Sequence, residues 1–201
     1  MKIGIMGGTF DPLHNGHLII SEYIRDSLNL DEVIFIPAGQ PPHKENNVVA
    51  SSIHRYNMTK LAIKDNPYFL VSDMEISNKD TSFTYDTVKK LKDMNEENEY
   101  YFIIGADSLF NLESWYRFDE LTNIINFALW ERTGYYRDDI LDRIKYLKNK
   151  YDTNINYVEG PIIEISSSHI RNRLKSKRSI RYFLPNNVME YIEQNNLYTG
   201  E

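Results

Sequence analysis

The 201-residue sequence contains no cysteine, which excludes a disulfide framework and a thiolate metal site. No apolar run approaches the roughly 20 residues that span a bilayer; Val33–Ile36, Tyr101–Ile104 and Asn126–Trp130 are strand-sized. Met1 and Lys2 lead straight into the first apolar run, without a hydrophobic leader or a small-residue cleavage site. A cytoplasmic protein with no membrane partner is therefore expected. Gly/Ser linkers and internal repeats are also missing, and the length suits one domain. An excess of positive charge is lacking too: the net charge of −6 argues against broad binding to nucleic acid. It leaves room for a small anionic ligand, which needs only local positive charge. The basic residues are bunched, since His169 to Arg181 holds Arg171, Arg173, Lys175, Lys177, Arg178 and Arg181 and no acid. By itself such a run reads as a solvated helix face.

What is present is an alternation of short apolar runs and amphipathic stretches. Strands are expected at Lys2–Met6, Glu32–Pro37, Phe69–Ser72, Glu99–Gly105 and Asn126–Glu131, with short extended pieces at Asn154–Glu159 and Ile162–Ile165. Helices are expected at Gly16–Leu28, Ser51–Asp65, Tyr85–Met94 with Thr84 as its cap, Ser108–Leu112, Asp119–Ile124, Tyr136–Lys150, Ser167–Leu174 and Pro185–Asn195. Leu18, Ile19, Tyr23, Ile24 and Leu28 mark the apolar face of the first helix, and Ile53, Met58, Leu61 and Ala62 that of the second. Strands separated by helices predict an α/β fold: a Rossmann-like, doubly wound, mostly parallel sheet with helices on both faces. The chain reads as a single domain over residues 1–201, with a small helical C-terminal part from about residue 166. Ligands of such folds sit beyond the carboxyl ends of the strands. The chemically interesting residues follow those ends: Gly7-Gly8, the segment from Ala38 to Lys44, Gly105-Ala106-Asp107 and Ser166-Ser167-Ser168.

The segment Gly7-Gly8-Thr9-Phe10-Asp11-Pro12-Leu13-His14-Asn15-Gly16-His17 reads as strand, tight turn and first helical turn. Gly4, Gly7 and Gly8 do not have the G-x-G-x-x-G spacing of a dinucleotide fingerprint. A helix start offers backbone N–H groups and a partial positive charge to a phosphate. His14 and His17, three apart, put two rings on one side of that turn, and Gly16 lets a ligand approach the backbone. Either histidine alone would read as a cap or a surface residue; together they suggest phosphate chemistry. A resident metal has no further ligand at helical spacing. Ser166 to Ser168 open another helix that carries Arg171 one turn in, bringing hydroxyls, N–H groups and a guanidinium to one point. A plain serine cap is the competing account of that segment.

The pattern Gly-Gly-Thr-Phe-Asp-Pro-x-His-x-Gly-His resembles the signature of the nucleotidylyltransferase superfamily, with its H-x-G-H core. The resemblance continues in order through Pro42-His43-Lys44, residues 82–87 (Ser-Phe-Thr-Tyr-Asp-Thr), Gly105-Ala106-Asp107 with Trp115, and residues 165–171 (Ile-Ser-Ser-Ser-His-Ile-Arg). That set is similar to the bacterial nicotinate-nucleotide adenylyltransferase family, over nearly the whole chain. Phe83 stands where the family often has Tyr, no arginine occurs between Ser77 and Thr81, and the R-P-G segment appears as Arg132-Thr133-Gly134.

The resemblance implies adenylyl transfer from ATP to nicotinate mononucleotide, giving deamido-NAD and pyrophosphate, with Mg²⁺ carried in on ATP. It implies catalytic roles for His14, His17, Lys44 and Arg171. ATP contacts are implied at Gly7, Gly8, Thr9, Phe10, His14, Gly16, His17, Gly105, Asp107 (ribose), Arg132 (adenine), Ser166, Ser167, Ser168 and Arg171. Mononucleotide contacts are implied at Asp11, His43, Lys44, Thr84, Tyr85, Trp115 (stacked on the ring) and Tyr116. Another acceptor, nicotinamide mononucleotide or phosphopantetheine, would keep the chemistry. A non-catalytic nucleotide-binding regulator is the alternative of a different class. The sequence is compatible with a homo-oligomer and does not specify one.

Overall fold

The computed structural model describes residues 1–39, 50–77, 83–131 and 134–199. In chain order the elements are β1 (Lys2–Gly8), α1 (Asn15–Ser27), β2 (Glu32–Pro37), α2 (Ser52–Ile63), β3 (Phe69–Val71), α3 (Thr84–Met94), β4 (Glu99–Gly105), α4 (Ala106–Asn111), α5 (Phe118–Leu121), β5 (Asn126–Trp130), α6 (Arg137–Tyr151), β6 (Ile155–Val158), α7 (Ser167–Lys175) and α8 (Asn186–Gln194). The strand order is β3-β2-β1-β4-β5-β6. This is the order of a doubly wound α/β fold, whose direction reverses between β1 and β4. Among the described residues no helix is long and apolar enough to cross a membrane.

The chain folds as two compact units. The first comprises Met1–Gly7, Ile20–Ile34 and Phe83–Ile163. In it β1 pairs in parallel with β4 (Lys2 opposite Glu99, Ile5 opposite Phe102), β4 with β5 (Tyr101 opposite Asn126, Gly105 opposite Trp130) and β5 with β6. Tyr100 to Ile104 and Phe127 to Trp130 are all buried, as strands covered on both faces require. On α3, Tyr85, Val88 and Leu91 form the buried stripe at a spacing of three. On α6 it is Ile140 and Leu147. Gly160 lies against the buried Trp130: a Cβ there would stand 1.9 Å from Cη2. Glu113 is a surface hub, accepting from Lys150 Nζ at 2.9 Å and the Tyr151 hydroxyl at 2.6 Å, with Arg143 at 2.8 Å.

The second unit comprises Gly8–Ile19, Phe35–Ser82 and Glu164–Glu201. Its core gathers Met58, Ile170, Leu184, Val188, Ile192 and Tyr198. The end of α8 is closed by a Schellman turn, Leu197 N–H to Ile192 C=O at 3.0 Å and Asn196 N–H to Glu193 C=O at 3.2 Å, with Asn196 left-handed.

Several local expectations change. Phe83, in extended conformation, holds the cap position of α3, and Thr84 is its first helical residue. Residues 162–165 form no strand. Ile53 is 54% exposed, whereas Arg55 is buried at 1%. Of the expected apolar face of α2, Met58 is buried and Leu61 and Ala62 pack against the core, and Arg55, Thr59 and Ile63 are buried beside them. Pro185 caps α8 from outside its first turn.

Two stability measurements follow from these contacts. Gly160→Ala is expected to lower stability by about 1–3 kcal/mol in denaturant unfolding, because the methyl overpacks Trp130. The Lys150 ammonium, the Tyr151 hydroxyl and Arg143 hold the Glu113 carboxyl well below the ordinary range, at about 2. A depressed carboxylate contributes stability above its unfolded value of about 4.3 and loses it as pH falls toward the folded value. Thermal unfolding should therefore show Glu113→Gln less stable than the parent at pH 7. That difference should shrink between about pH 5 and pH 2.

Candidate active site

In the second unit, the loop from Thr9 to Leu13 connects the end of β1 to α1. A Cβ on Gly8 would meet Phe10 Cε1 at 2.9 Å, and Phe10 is buried in left-handed backbone (φ 50°). Gly8 is therefore required by close packing. At Gly7, in the first unit, the obstacle is Phe102 Cζ at 2.9 Å.

His14 immediately precedes α1, and its carbonyl accepts from His17 N–H at 2.9 Å. In return, the backbone N–H of His14 donates to His17 Nδ1 at 3.2 Å. The bond from the cap residue's N–H to the side chain of the third helical residue is one half of a capping box, with imidazole in place of the usual Glu or Gln side chain. A ring nitrogen that accepts carries no proton, so the imidazole of His17 is neutral with its hydrogen on Nε2. The two rings stack with centroids 3.7 Å apart and 21° between planes, and Phe10 meets His17 edge-on at 5.1 Å. Asn15 ties the helix start to residues 182–183 through its N–H, donated to Phe183 C=O at 2.9 Å, and its Nδ2, donated to Tyr182 C=O at 2.8 Å.

The start of α7 is bonded to this loop. Ser166 Oγ accepts from His169 N–H at 3.2 Å, so Ser166 is a helix cap. Ser167 Oγ donates to Pro12 C=O at 2.9 Å. Arg171 donates from Nη1 to Asp11 C=O at 2.8 Å and from Nη2 to Ser168 Oγ at 3.3 Å. The expected phosphate group of residues is thereby assembled: His14, Gly16 and His17 on one helix start, Ser166 to Ser168 and Arg171 on the other.

Asp11, expected at the mononucleotide, has a buried side chain. Its Oδ1 accepts from Ala50 N–H at 3.2 Å and from the Tyr198 hydroxyl at 2.6 Å. Sequence reasoning missed two residues here, Tyr198 and Arg55. Arg55 donates to the carbonyls of Thr9 at 2.7 Å, Gly39 at 2.9 Å and Ala50 at 3.3 Å. Burial pushes its guanidinium below the ordinary arginine value, against the opposing pull of Asp11. The signal for Arg55 was its place in the stripe with Met58 and Thr59, but a cation on α2 fits a solvated face equally well.

Gly105, Asp107, Trp115, Tyr116, Thr84 and Tyr85 belong to the first unit. Gly105 ends β4 and Asp107 lies in the first turn of α4, accepting from the Tyr135 hydroxyl at 3.0 Å. Trp115 is half-buried, edge-to-face with Phe102 at 5.7 Å and Phe127 at 6.5 Å. Tyr116, 48% exposed, lies against Phe83 at 4.6 Å. Thr84 begins α3. Tyr85 is buried, donates its hydroxyl to Glu120 at 3.2 Å and carries the Arg117 guanidinium 4.2 Å from its ring centre. Its side chain thus ties α3 to α5. His43, Lys44 and Arg132 lie outside the described residues. Among the described residues no group of three or more His, Asp or Glu side chains is arranged to hold a metal ion.

A doubly wound sheet with imidazoles and a guanidinium at two helix starts is the framework of a nucleotide-handling enzyme. The chain belongs to the cytidylyltransferase-like family, whose model matches residues 5–173. It is 41% identical over 197 residues to a Clostridium novyi (strain NT) protein named "Probable nicotinate-nucleotide adenylyltransferase", covering 98% of each chain. A Clostridium perfringens (strain 13 / Type A) protein of the same name is 43% identical over 200 residues, 100% of this chain and 99% of that one. In fold it matches the nicotinic acid mononucleotide adenylyltransferase of Plasmodium falciparum in its complex with NaAD. The TM-score is 0.82 at 23% identity, over 100% of this chain and 98% of that one.

The capping-box bond makes a spectroscopic prediction. Two-bond ¹H–¹⁵N correlation spectra at neutral pH should show His17 Nδ1 unprotonated and Nε2 protonated. A His17 protonated on Nδ1 would contradict the bond to His14 N–H.

Proposed function

We propose that this chain transfers AMP from MgATP to nicotinate mononucleotide, releasing deamido-NAD and pyrophosphate. The observation that carries the reading is the stacked His14–His17 pair at the start of α1, bonded through the loop that precedes it to the start of α7. The shared name of relatives 41–43% identical over essentially the whole chain supports the acceptor.

The acceptor's phosphate already carries a nucleophilic oxygen, so no protein nucleophile or general base is required. That oxygen attacks the α-phosphorus in line. A P–O bond forms, the α–β bridging P–O bond breaks, and its electron pair leaves on pyrophosphate. Catalysis is then positioning and charge stabilisation. His17, with Nε2 as donor, and His14 bind the phosphates where charge builds up. Ser167, Ser168 and Arg171 take the departing end, with Lys44 as a further cation. Asp107 accepts from the ribose, and Arg132 neighbours the adenine. Trp115 stacks on the pyridine ring, and backbone N–H groups at Thr84 and Tyr116 receive its carboxylate, an anion that the amide lacks. Mg²⁺ rides on the triphosphate as part of the substrate.

His17→Ala is expected to lower kcat about 10²–10³-fold with the fold intact by circular dichroism. A fully active variant would remove His17 from the chemistry. In parallel turnover assays the acid mononucleotide should be used at least about tenfold better than the amide; equal use would overturn the carboxylate site at Thr84 and Tyr116.

A further inference from the structure

The least expected contact of the second unit joins residues 187 positions apart: the Tyr198 hydroxyl donates to Asp11 Oδ1 at 2.6 Å. Both side chains are buried, Tyr198 at 4% and Asp11 at 3% exposure. The Schellman turn after α8 delivers Tyr198, whose own backbone is left-handed (φ 64°), a conformation that a bulky aromatic adopts rarely. Burial, then the Asp11 charge and the hydrogen bond to it, push this hydroxyl far above the ordinary tyrosine value. It therefore remains a donor at every working pH.

Beside this pair stands Arg171. Its Nη1 reaches the backbone carbonyl of Asp11 at 2.8 Å, yet stays 3.8 Å from Asp11 Oδ2, beyond hydrogen-bond distance. An arginine facing a buried carboxylate ordinarily closes into a short, two-bond fork. Here two donors, Tyr198 and Ala50 N–H, hold the other carboxylate oxygen. Oδ2 stops short of the guanidinium. Arg171 donates instead to a neutral carbonyl and to Ser168 Oγ, with 17% of its side chain exposed.

We propose that Tyr198 is a positioning residue for Arg171. By holding Asp11 it prevents that carboxylate from capturing the guanidinium, and so keeps the positive charge of Arg171 available to the polyphosphate of ATP. The proposal rests on the assignment of Arg171 to ATP and adds a residue that touches no substrate.

The test is steady-state kinetics of the full chain, with KM measured separately for MgATP and nicotinate mononucleotide. Tyr198→Phe is expected to raise KM for ATP about tenfold, while KM for the mononucleotide changes less than about twofold. Tyr198→Phe/Asp11→Asn removes the capturing charge and should recover most of that loss; with no unmatched buried carboxylate it should also fold if the single variant does not. In an Arg171→Ala background, Tyr198→Phe should add nothing to the ATP effect. An equal loss on both substrates, a double variant no better than the single one or itself unfolded, or a full Tyr198→Phe effect without Arg171 overturns the proposal. If Arg171→Ala leaves KM for ATP unchanged, the assignment of Arg171 to ATP fails instead, which separates the two failures.

Discussion

The phosphate site proposed above must present donors, and any carbonyl turned toward the anion would oppose it. The loop between β1 and α1 meets this constraint by having its carbonyls taken from elsewhere in the second unit. Arg55 binds that of Thr9, Arg171 that of Asp11 and Ser167 that of Pro12. Side chains from α2 and α7 therefore orient the peptide planes that lead into the His14–His17 turn. Two of the three donors are guanidiniums, so the loop is clamped and placed in positive surroundings at once.

Burying that much positive charge needs an opposing group, and Asp11 supplies it. Its carboxylate lies 3.8 Å from Arg171 and acts electrostatically on Arg55, while the Tyr198 hydroxyl and Ala50 N–H take one of its oxygens. One carboxylate faces two guanidiniums, so the cluster keeps a net positive charge, and the guanidinium nearest the second helix start donates its hydrogen bonds to uncharged oxygens. The half capping box at His14 and His17 follows the same economy, because one bond both closes the helix start and sets the tautomer.

The first unit holds its aromatic side chains against one another. Trp115 is braced by Phe102 and Phe127, and Tyr116 by Phe83. Tyr85, Arg117 and Glu120 bind α3 to α5. Phe83, which departs from the residue its family often carries, packs against Tyr116 through its ring alone, a contact that needs no hydroxyl.

Much of this was legible beforehand. The apolar runs located β2 and β4 to the residue, because strands covered on both faces are continuously hydrophobic. The spacing of His14 and His17 put both rings on one turn, because helical geometry is local. The serines before Arg171 marked a helix start for the same reason. Other features depend on residues far apart in the chain. Arg55 reads as a surface cation until Thr9, Gly39 and Ala50 surround it, and nothing local to Asp11 announces that Tyr198, 187 residues away, donates to it. Tyr85 likewise turns inward only because Arg117 and Glu120 receive it. Periodicity and capping are encoded over a few neighbouring residues and can be read from the chain. The partner that satisfies a buried charge is chosen by packing, and packing exists only once the chain has folded.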